Sequence, residues 1–87
     1  MPRYFFNYRD GVECLDEEGV ELAGIVEARA LALQSSGEAI QELGSKFWQS
    51  PGWHTWVTDE SGATVCSLRF LVGKADGESK ASRSPAA

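Results

Sequence analysis

The first fifteen residues, MPRYFFNYRDGVECL, put aromatic side chains on both faces of one predicted strand. Residues 3–9 have the aromatic, alternating pattern of a strand, and Asp10–Gly11 fits the two-residue type I′ turn of a hairpin. The segment VECL then returns as the second strand, so that Tyr8 faces Glu13. One face of this hairpin carries Tyr4, Phe6, Tyr8 and Leu15, and the other carries Phe5, Asn7, Val12 and Cys14. A sheet built on it has apolar surface to cover on both sides.

The middle of the chain predicts a single helix. Apolar residues recur at helical spacing through AGIVEARALALQSSGEAIQELG. We expect Val26, Leu33 and Ile40 to form the stripe that faces the sheet. The alternative is a helix that breaks at residues 35–37, where two serines and a glycine weaken it.

Two further strands follow the helix. WHTWVT and ATVCSLRFLV both have strand composition, and DESG between them fits a turn. The element order is ββαββ, which predicts an α+β fold with a four-stranded antiparallel sheet and one helix packed on one face. The sheet face expected beneath the helix carries Tyr4, Phe6, Tyr8, Leu15, Trp53, Val57, Cys66, Leu68 and Phe70.

Composition changes at the end of the chain. Residues 74–87, KADGESKASRSPAA, contain no large apolar side chain. Such a segment cannot bury enough surface to offset its ordering entropy, so we expect a disordered C-terminal tail. Residues 1–73 are expected to form a single small α+β domain.

The net charge of −5 constrains the partners of the protein. Nucleic-acid binding rests on Lys and Arg that neutralise phosphates, so an acidic chain disfavours nucleic acid and anionic membranes. No apolar run approaches the roughly 20 residues of a membrane span, and no signal peptide is recognisable. These features favour a cytoplasmic location.

The sheet face away from the helix carries more apolar surface than is usual for a solvent-exposed face. Burying each large side chain is worth roughly 2–3 kcal/mol, and a second copy is the commonest way to bury it. We therefore expect self-association, with a homodimer favoured. The alternatives are scattered apolar residues that stay exposed, or a loop that folds over the face. The candidate partner-binding residues are Phe5, Trp56, Val65, Leu71 and Trp48.

Few residues suggest catalysis. Asn7, Cys14 and His54 fall on one predicted face and are the residue types of a thiol nucleophile, its base and its orienting group. Three such common residue types often share one face by chance, so we predict no catalytic residue. Cys14 and Cys66 are expected to point to opposite faces and to remain free thiols. The chain has a single His and no C-x-x-C motif, and no metal or cofactor is predicted.

The acidic loop at residues 10–18 offers a second kind of surface. It lacks the register of a calcium loop, so it is expected to be solvated. The alternative is a patch for a basic protein partner. Trp48, Trp53 and Trp56 are a third possibility, as a platform for a sugar or proline-rich peptide.

Several motifs together are characteristic. MPRYFF…RDG opens the chain, DEEGVEL precedes a helix with EARA near its start, and GW…VTDE.G is followed by L.F. Over residues 1–71 this pattern resembles a family of short bacterial proteins catalogued as a domain of unknown function. The resemblance implies a small cytoplasmic α+β domain and assigns no activity, cofactor or catalytic residue. Many members have His after RYFF, where this chain has Asn7.

The sequence therefore favours a non-enzymatic interaction or structural module that self-associates through the uncovered sheet face. The alternative is a small-molecule-binding protein or minor enzyme. Its pocket would lie between the loop at residues 45–53 and the sheet.

Overall fold

The computed structural model describes residues 1–73 of the chain. An antiparallel sheet and one helix form an α+β fold, as predicted. The predicted tail at residues 74–87 lies outside the described residues. The elements are β1 (Arg3–Arg9), β2 (Glu13–Cys14), β3 (Val20–Glu21), α1 (Ile25–Leu43), a 3-10 helix (Gly44–Gln49), β4 (Trp53–Thr58) and β5 (Thr64–Phe70).

The strands lie in the order β2-β1-β4-β5, and all neighbours are antiparallel. β3 pairs with the start of β1, through Arg3↔Glu21 and Tyr4↔Val20. Since β4 occupies the other side of β1, β2 and β3 share one edge of that strand. The segment DEEGVEL, for which no strand was predicted, contributes this short additional strand.

The first hairpin has a different register from the predicted one. Tyr8 pairs with Cys14 and Arg9 with Glu13, so the loop contains three residues rather than two. A type I′ turn needs positive φ at both central residues. Among residues 1–73 only glycines have positive φ, and in this loop that residue is Gly11, at 106°. The shift of one residue moves Cys14 to the face of Tyr8.

Side chains replace strand pairing between β2 and β3. The N–H of Phe6 donates to Asp16 Oδ2 at 3.1 Å, and the N–H of Asp16 donates to Asn7 Oδ1 at 2.9 Å. The N–H groups of Glu18 and Gly19 donate to Asp16 Oδ1. Burial alone raises the pKa of Asp16, but these backbone donors outweigh it and hold the pKa below its usual value. Asp16 therefore connects the loop to the strand.

The helix rests on the sheet through small side chains. Ala28, Ala32 and Ser36 are buried, whereas Val26 and Leu33 are 68% and 58% exposed. The prediction that Val26, Leu33 and Ile40 face the sheet was therefore wrong, because a different side of the helix contacts the sheet. Aromatic rings on the sheet fill the space between the layers, so the helix face above them has to be small.

The helix is continuous through residues 35–37, so the predicted alternative break does not occur. Ser36 is buried without an unsatisfied hydroxyl because its Oγ lies 2.7 Å from Thr55 Oγ1. Trp53 Nε1 donates to the same Thr55 oxygen at 2.6 Å. The ring of Trp53 stacks on Tyr8, with centroids 4.7 Å apart.

The core lies between α1 and the predicted sheet face. Tyr4, Ala28, Ala32 and Val57 are buried there, and Phe6, Leu22, Ile25, Val65, Cys66 and Leu68 pack around them. Leu15 was expected in this core and is 58% exposed. Val65 was expected on the opposite face. The register shifts at Val57/Thr58, where β5 has one extra residue, and this irregularity brings Val65 to the helix side.

No helix within residues 1–73 has the length and apolar character that crossing a membrane requires.

Replacing Asp16 with alanine removes the acceptor for the N–H groups of Phe6, Glu18 and Gly19. We expect the free energy of unfolding to fall by about 1–3 kcal/mol, because these donors lose a charged partner. Urea denaturation measures this change.

Glu17→Ala is the matched control, since it removes the same charge from an exposed neighbour. Its effect should stay within about 0.5 kcal/mol. Equal losses in the two variants would show that charge alone, rather than the contacts of Asp16, matters in this loop.

Candidate functional site

Three basic residues lie side by side on the sheet face away from the helix. Arg9 on β1 pairs with His54 on β4, and His54 pairs with Arg69 on β5. Thr55 and Val57 point toward α1, so the alternation along β4 turns His54 to the other face. Directly paired antiparallel residues share a face, and Arg9, His54 and Arg69 therefore form one basic row across three strands.

The basic row offers little stabilisation to the fold. When His54 is protonated, like charges lie directly opposite each other on neighbouring strands, which destabilises a sheet. Arg9 is partly compensated by Glu13 at 3.5 Å. Arg69 makes no ion pair within residues 1–73. Clustered positive charge in an acidic protein, without a stabilising structural role, is a feature typical of a binding site.

His54 responds to this surrounding charge. Burial lowers the pKa of its imidazole, and the guanidinium groups of Arg69 and Arg9 lower it further. The imidazole is therefore neutral near pH 7 and takes up a proton only in more acidic solution. At neutral pH it can both donate and accept a hydrogen bond.

An aromatic ring borders the basic row. Trp56 lies two residues after His54 on the same face of β4, and the two rings stack with centroids 5.1 Å apart. The guanidinium carbon of Arg9 is 6.0 Å from the centre of the Trp56 ring. Trp56 is half-buried, so part of its ring remains available for contact.

Two shallow clefts lie over the row, and Arg69 lines only the first of them. One has a volume of about 240 Å³ and is walled by Pro51 and Gly52 from the preceding loop and by Leu71. The other, of about 320 Å³, extends over Trp56. Both are lined by Arg9 and His54. A cleft thus lies between the loop and the sheet, in the region considered for a small-molecule pocket.

Gly52 brings this loop close to the sheet. Its φ of 109° favours glycine, and a Cβ at this position would lie 3.0 Å from the carbonyl oxygen of Phe70. Any larger residue would push the loop away from the end of β5 and widen the cleft.

The predicted partner-binding residues divide among several places. Trp56 and Leu71 border the basic row, and Leu71 is 75% exposed. Phe5 is half-buried and packs on Gly19, where an added Cβ would lie 2.9 Å from its ring. Trp48 is exposed in the 3-10 helix and lines neither cleft. Val65 lies on the helix side, as described above.

Sequence reasoning did not single out Arg9 and Arg69. The alternation of β4 and β5 already placed His54 and Arg69 on the uncovered face. What it lacked was the strand order, since only the pairing of β1 with β4 and of β4 with β5 makes these residues neighbours.

The structure does not assemble the Asn7, Cys14 and His54 group. Asn7 is buried, and its amide nitrogen donates to the carbonyl groups of Phe5 and Trp56. Cys14 lies on the other face beside Tyr8, and its hydrogen bond is the main cause that raises the pKa of the Tyr8 hydroxyl. His54 therefore has no thiol nucleophile next to it.

Cys14 and Cys66 are both free. They were expected to stay free because they point to opposite faces of the sheet, and this reason was wrong. Cys14 pairs with Tyr8 and Cys66 pairs with Val57, so both lie on the helix side. They stay apart because β1 and β4 lie between their strands, which separates them by about 14 Å. Within residues 1–73 no group of three or more His, Cys, Asp or Glu side chains is arranged to hold a metal ion.

The acidic loop has mainly a structural part in this region. Asp16 binds the backbone of β1, and Glu17 and Glu18 are exposed. A basic protein partner for these exposed carboxylates remains a prediction.

Comparisons with known proteins agree with the resemblance in the sequence. Neither curated proteins nor solved structures gave a match. A family model described as Domain of unknown function (DUF6894) matches residues 3–71, which is most of the chain. The protein therefore belongs to the DUF6894 family of domains of unknown function.

Proposed function

We propose that this protein is a non-enzymatic binding module whose cleft takes a small anionic ligand with a planar ring. The single observation that supports this proposal is the row of Arg9, His54 and Arg69 on adjacent strands. Phosphate, sulfate and carboxylate groups share the chemistry that such a row recognises.

The geometry suits one anionic group and one ring. Neighbouring strands are about 4.8 Å apart, so the row spans about 10 Å. An anion above His54 is within reach of both flanking arginines, which donate forked hydrogen bonds. Trp56 lies beside the row on the same face, where a planar part of the ligand can stack on its exposed ring.

The charge of the whole chain favours a small ligand over a long polyanion. The net charge is −5, and an acidic molecule gains no long-range attraction for nucleic acid. The row nevertheless places two arginines on one face, where they can hold a single small anion. The proposal therefore keeps the expectation that nucleic acid is not a partner.

Self-association through the same face is less well supported by the geometry. A two-fold contact would place two copies of the basic row close to each other, and like charges at an interface cost affinity. Self-association through the uncovered face remains a prediction. A change of solution mass in a Trp56→Ser variant would support it.

A cytoplasmic location is also part of the proposal. Cys14 and Cys66 are free thiols, which fits a reducing compartment. Cell fractionation with an antibody against the full chain would test this location.

Replacing Arg69 with alanine should weaken binding of para-nitrophenyl sulfate about tenfold to a hundredfold, because a charge-assisted contact contributes about 1.5–3 kcal/mol. Chemical-shift changes of the amide and indole N–H groups measure the affinity. The neutral ring analogue para-nitroanisole should bind much more weakly to the wild-type protein.

Arg29→Ala is the matched control, since it removes an arginine from α1, on the other side of the sheet. This variant should bind the sulfate ester as the wild type does. Equal weakening in both variants, or shifts that avoid His54 and Trp56, would contradict the proposed site.

Binding of the sulfate ester should strengthen as the pH falls from about 7.5 to about 5. The lowered pKa leaves His54 neutral at the upper end of this range, and proton uptake adds a positive charge beside the arginines. The bound anion favours the protonated imidazole, so binding and proton uptake reinforce each other. The ester keeps its own charge throughout, so the ligand does not titrate.

The His54→Gln variant should bind with little pH dependence over this range. The same pH profile in the variant and in the wild type would show that another group causes the effect.

A further inference from the structure

The helix carries a second apolar stripe that the fold does not bury. Val26 and Leu33 are 68% and 58% exposed, and Ile40 is half-buried. These positions are seven residues apart, so they lie along one flank of α1, with Ala30 and Gly37 beside them. The buried stripe of Ala28, Ala32 and Ser36 lies on a different side of the helix.

This outer stripe lies on the β5 side of the helix. Arg29 is three residues after Val26 and four before Leu33, so it shares their flank. The Arg29 guanidinium is close enough to partly offset the effect of burial, which raises the pKa of the Cys66 thiol on β5. On the opposite flank, Ser35 lines a cavity with Phe6 and Tyr8 of β1.

β5 itself is the last strand of the sheet. It has seven residues, Thr64–Phe70, and its outer edge pairs with no strand among residues 1–73. Exposed edge strands are usually protected by proline, an inward-pointing charge or a covering element. Thr64–Phe70 contains no proline, its one charged residue, Arg69, points away from the helix, and its extra residue, Val65, lies at the start of the strand. Within residues 1–73 the edge from Cys66 to Phe70 is therefore open, and Arg29 on the apolar flank lies near it.

We propose that a second copy of this chain docks here, with β5 pairing antiparallel to β5 of the copy across a two-fold axis. The two sheets become one continuous sheet, and the two α1 helices lie on the same side of it. Leu33 and Val26 of each copy then pack against the equivalent flank of the other.

The distance between the helices fits this arrangement. α1 contacts both β4 and β5, so its axis lies above the space between them. Pairing of β5 with its copy separates the two helix axes by about two strand spacings, which is about 10 Å. Packed helices lie about 8–10 Å apart. The copy therefore brings the two exposed stripes into contact without a change in either fold.

A second copy covers this surface better than an isolated strand does. A bound peptide strand would satisfy the backbone groups of β5 but would leave Val26 and Leu33 exposed. The copy supplies both the strand and an apolar helix flank, and that flank lies as far above the sheet as α1 does. The strand is about 23 Å long and the stripe from Val26 to Ile40 about 21 Å, so the two features have similar lengths.

The extent of the surface indicates a weak dimer. A strip about 22 Å long and about 20 Å high, from the sheet to the outer side of the helix, covers roughly 450 Å² for each copy. Standard interfaces bury about 800 Å² for each partner, so we expect a dissociation constant in the micromolar range. This dimer does not depend on the anionic ligand, because Arg69 faces the other side of the sheet.

Sedimentation equilibrium of the full chain, from about 10 μM to about 1 mM, tests the proposal by showing whether mass rises with concentration. Leu33→Glu should raise the dissociation constant at least about tenfold, since it buries a charge at the contact. Gln41→Glu is the matched control, because Gln41 is exposed on the polar side of the same helix. It should dimerise as the wild type does.

Amide hydrogen exchange tests the strand pairing independently. Outward-facing N–H groups within residues 64–70 should become more protected as the concentration rises, and this gain should be absent in Leu33→Glu. A wild type that stays monomeric up to about 1 mM would overturn the proposal, because a micromolar dimer forms at that concentration. A dimer that Leu33→Glu leaves intact would also overturn it, as would a dimer that only Trp56→Ser dissociates.

Discussion

The close approach of α1 to the sheet determines the rest of the structure. Ala28, Ala32 and Ser36 have little volume, so the helix can rest on the large rings of Tyr4 and Trp53. Packing at this distance uses aromatic bulk from the sheet and almost none from the helix. As a consequence, Val26 and Leu33 of α1 remain outside the core.

The polar contacts inside the fold follow from the same packing. A serine at the centre of a buried helix face needs a partner, and Ser36 finds it in Thr55, which also accepts from Trp53. On the outer edge of β1, Asp16 and Asn7 take the place of a strand between β2 and β3. Asn7 is buried and ties this loop to the strand, so it has a structural part.

Much of this fold follows from local patterns. The alternation of β1 and β4, the long helix and the final hairpin placed Tyr4, Phe6 and Val57 correctly beneath the helix. The predicted register of the first hairpin was wrong because Asp10–Gly11 permits a two-residue or a three-residue loop, and only Gly11 adopts positive φ. The prediction of the buried helix face was wrong for another reason. Val26 and Leu33 are more apolar than the alanines, and hydrophobicity alone cannot show that the sheet leaves no room for them.

The candidate site depended on information that a local pattern does not contain. Arg9, His54 and Arg69 are distant in sequence, and only the strand order makes them adjacent. The irregularity in β5 that moves Val65 to the helix side is equally invisible in the alternation of residues. Residues within one element could thus be assigned to a face, whereas neighbours across elements could not.

The two proposed surfaces are compatible because β5 alternates. The same strand turns Arg69 toward the cleft and Leu68 and Phe70 toward the helix side, while its backbone edge points away from both. Pairing along that edge covers backbone groups and the flank of α1, and it leaves the basic row open. Contact along the edge also avoids placing the two basic rows face to face, where like charges would cost affinity. Separate surfaces for the copy and for the anion therefore let both be occupied at the same time.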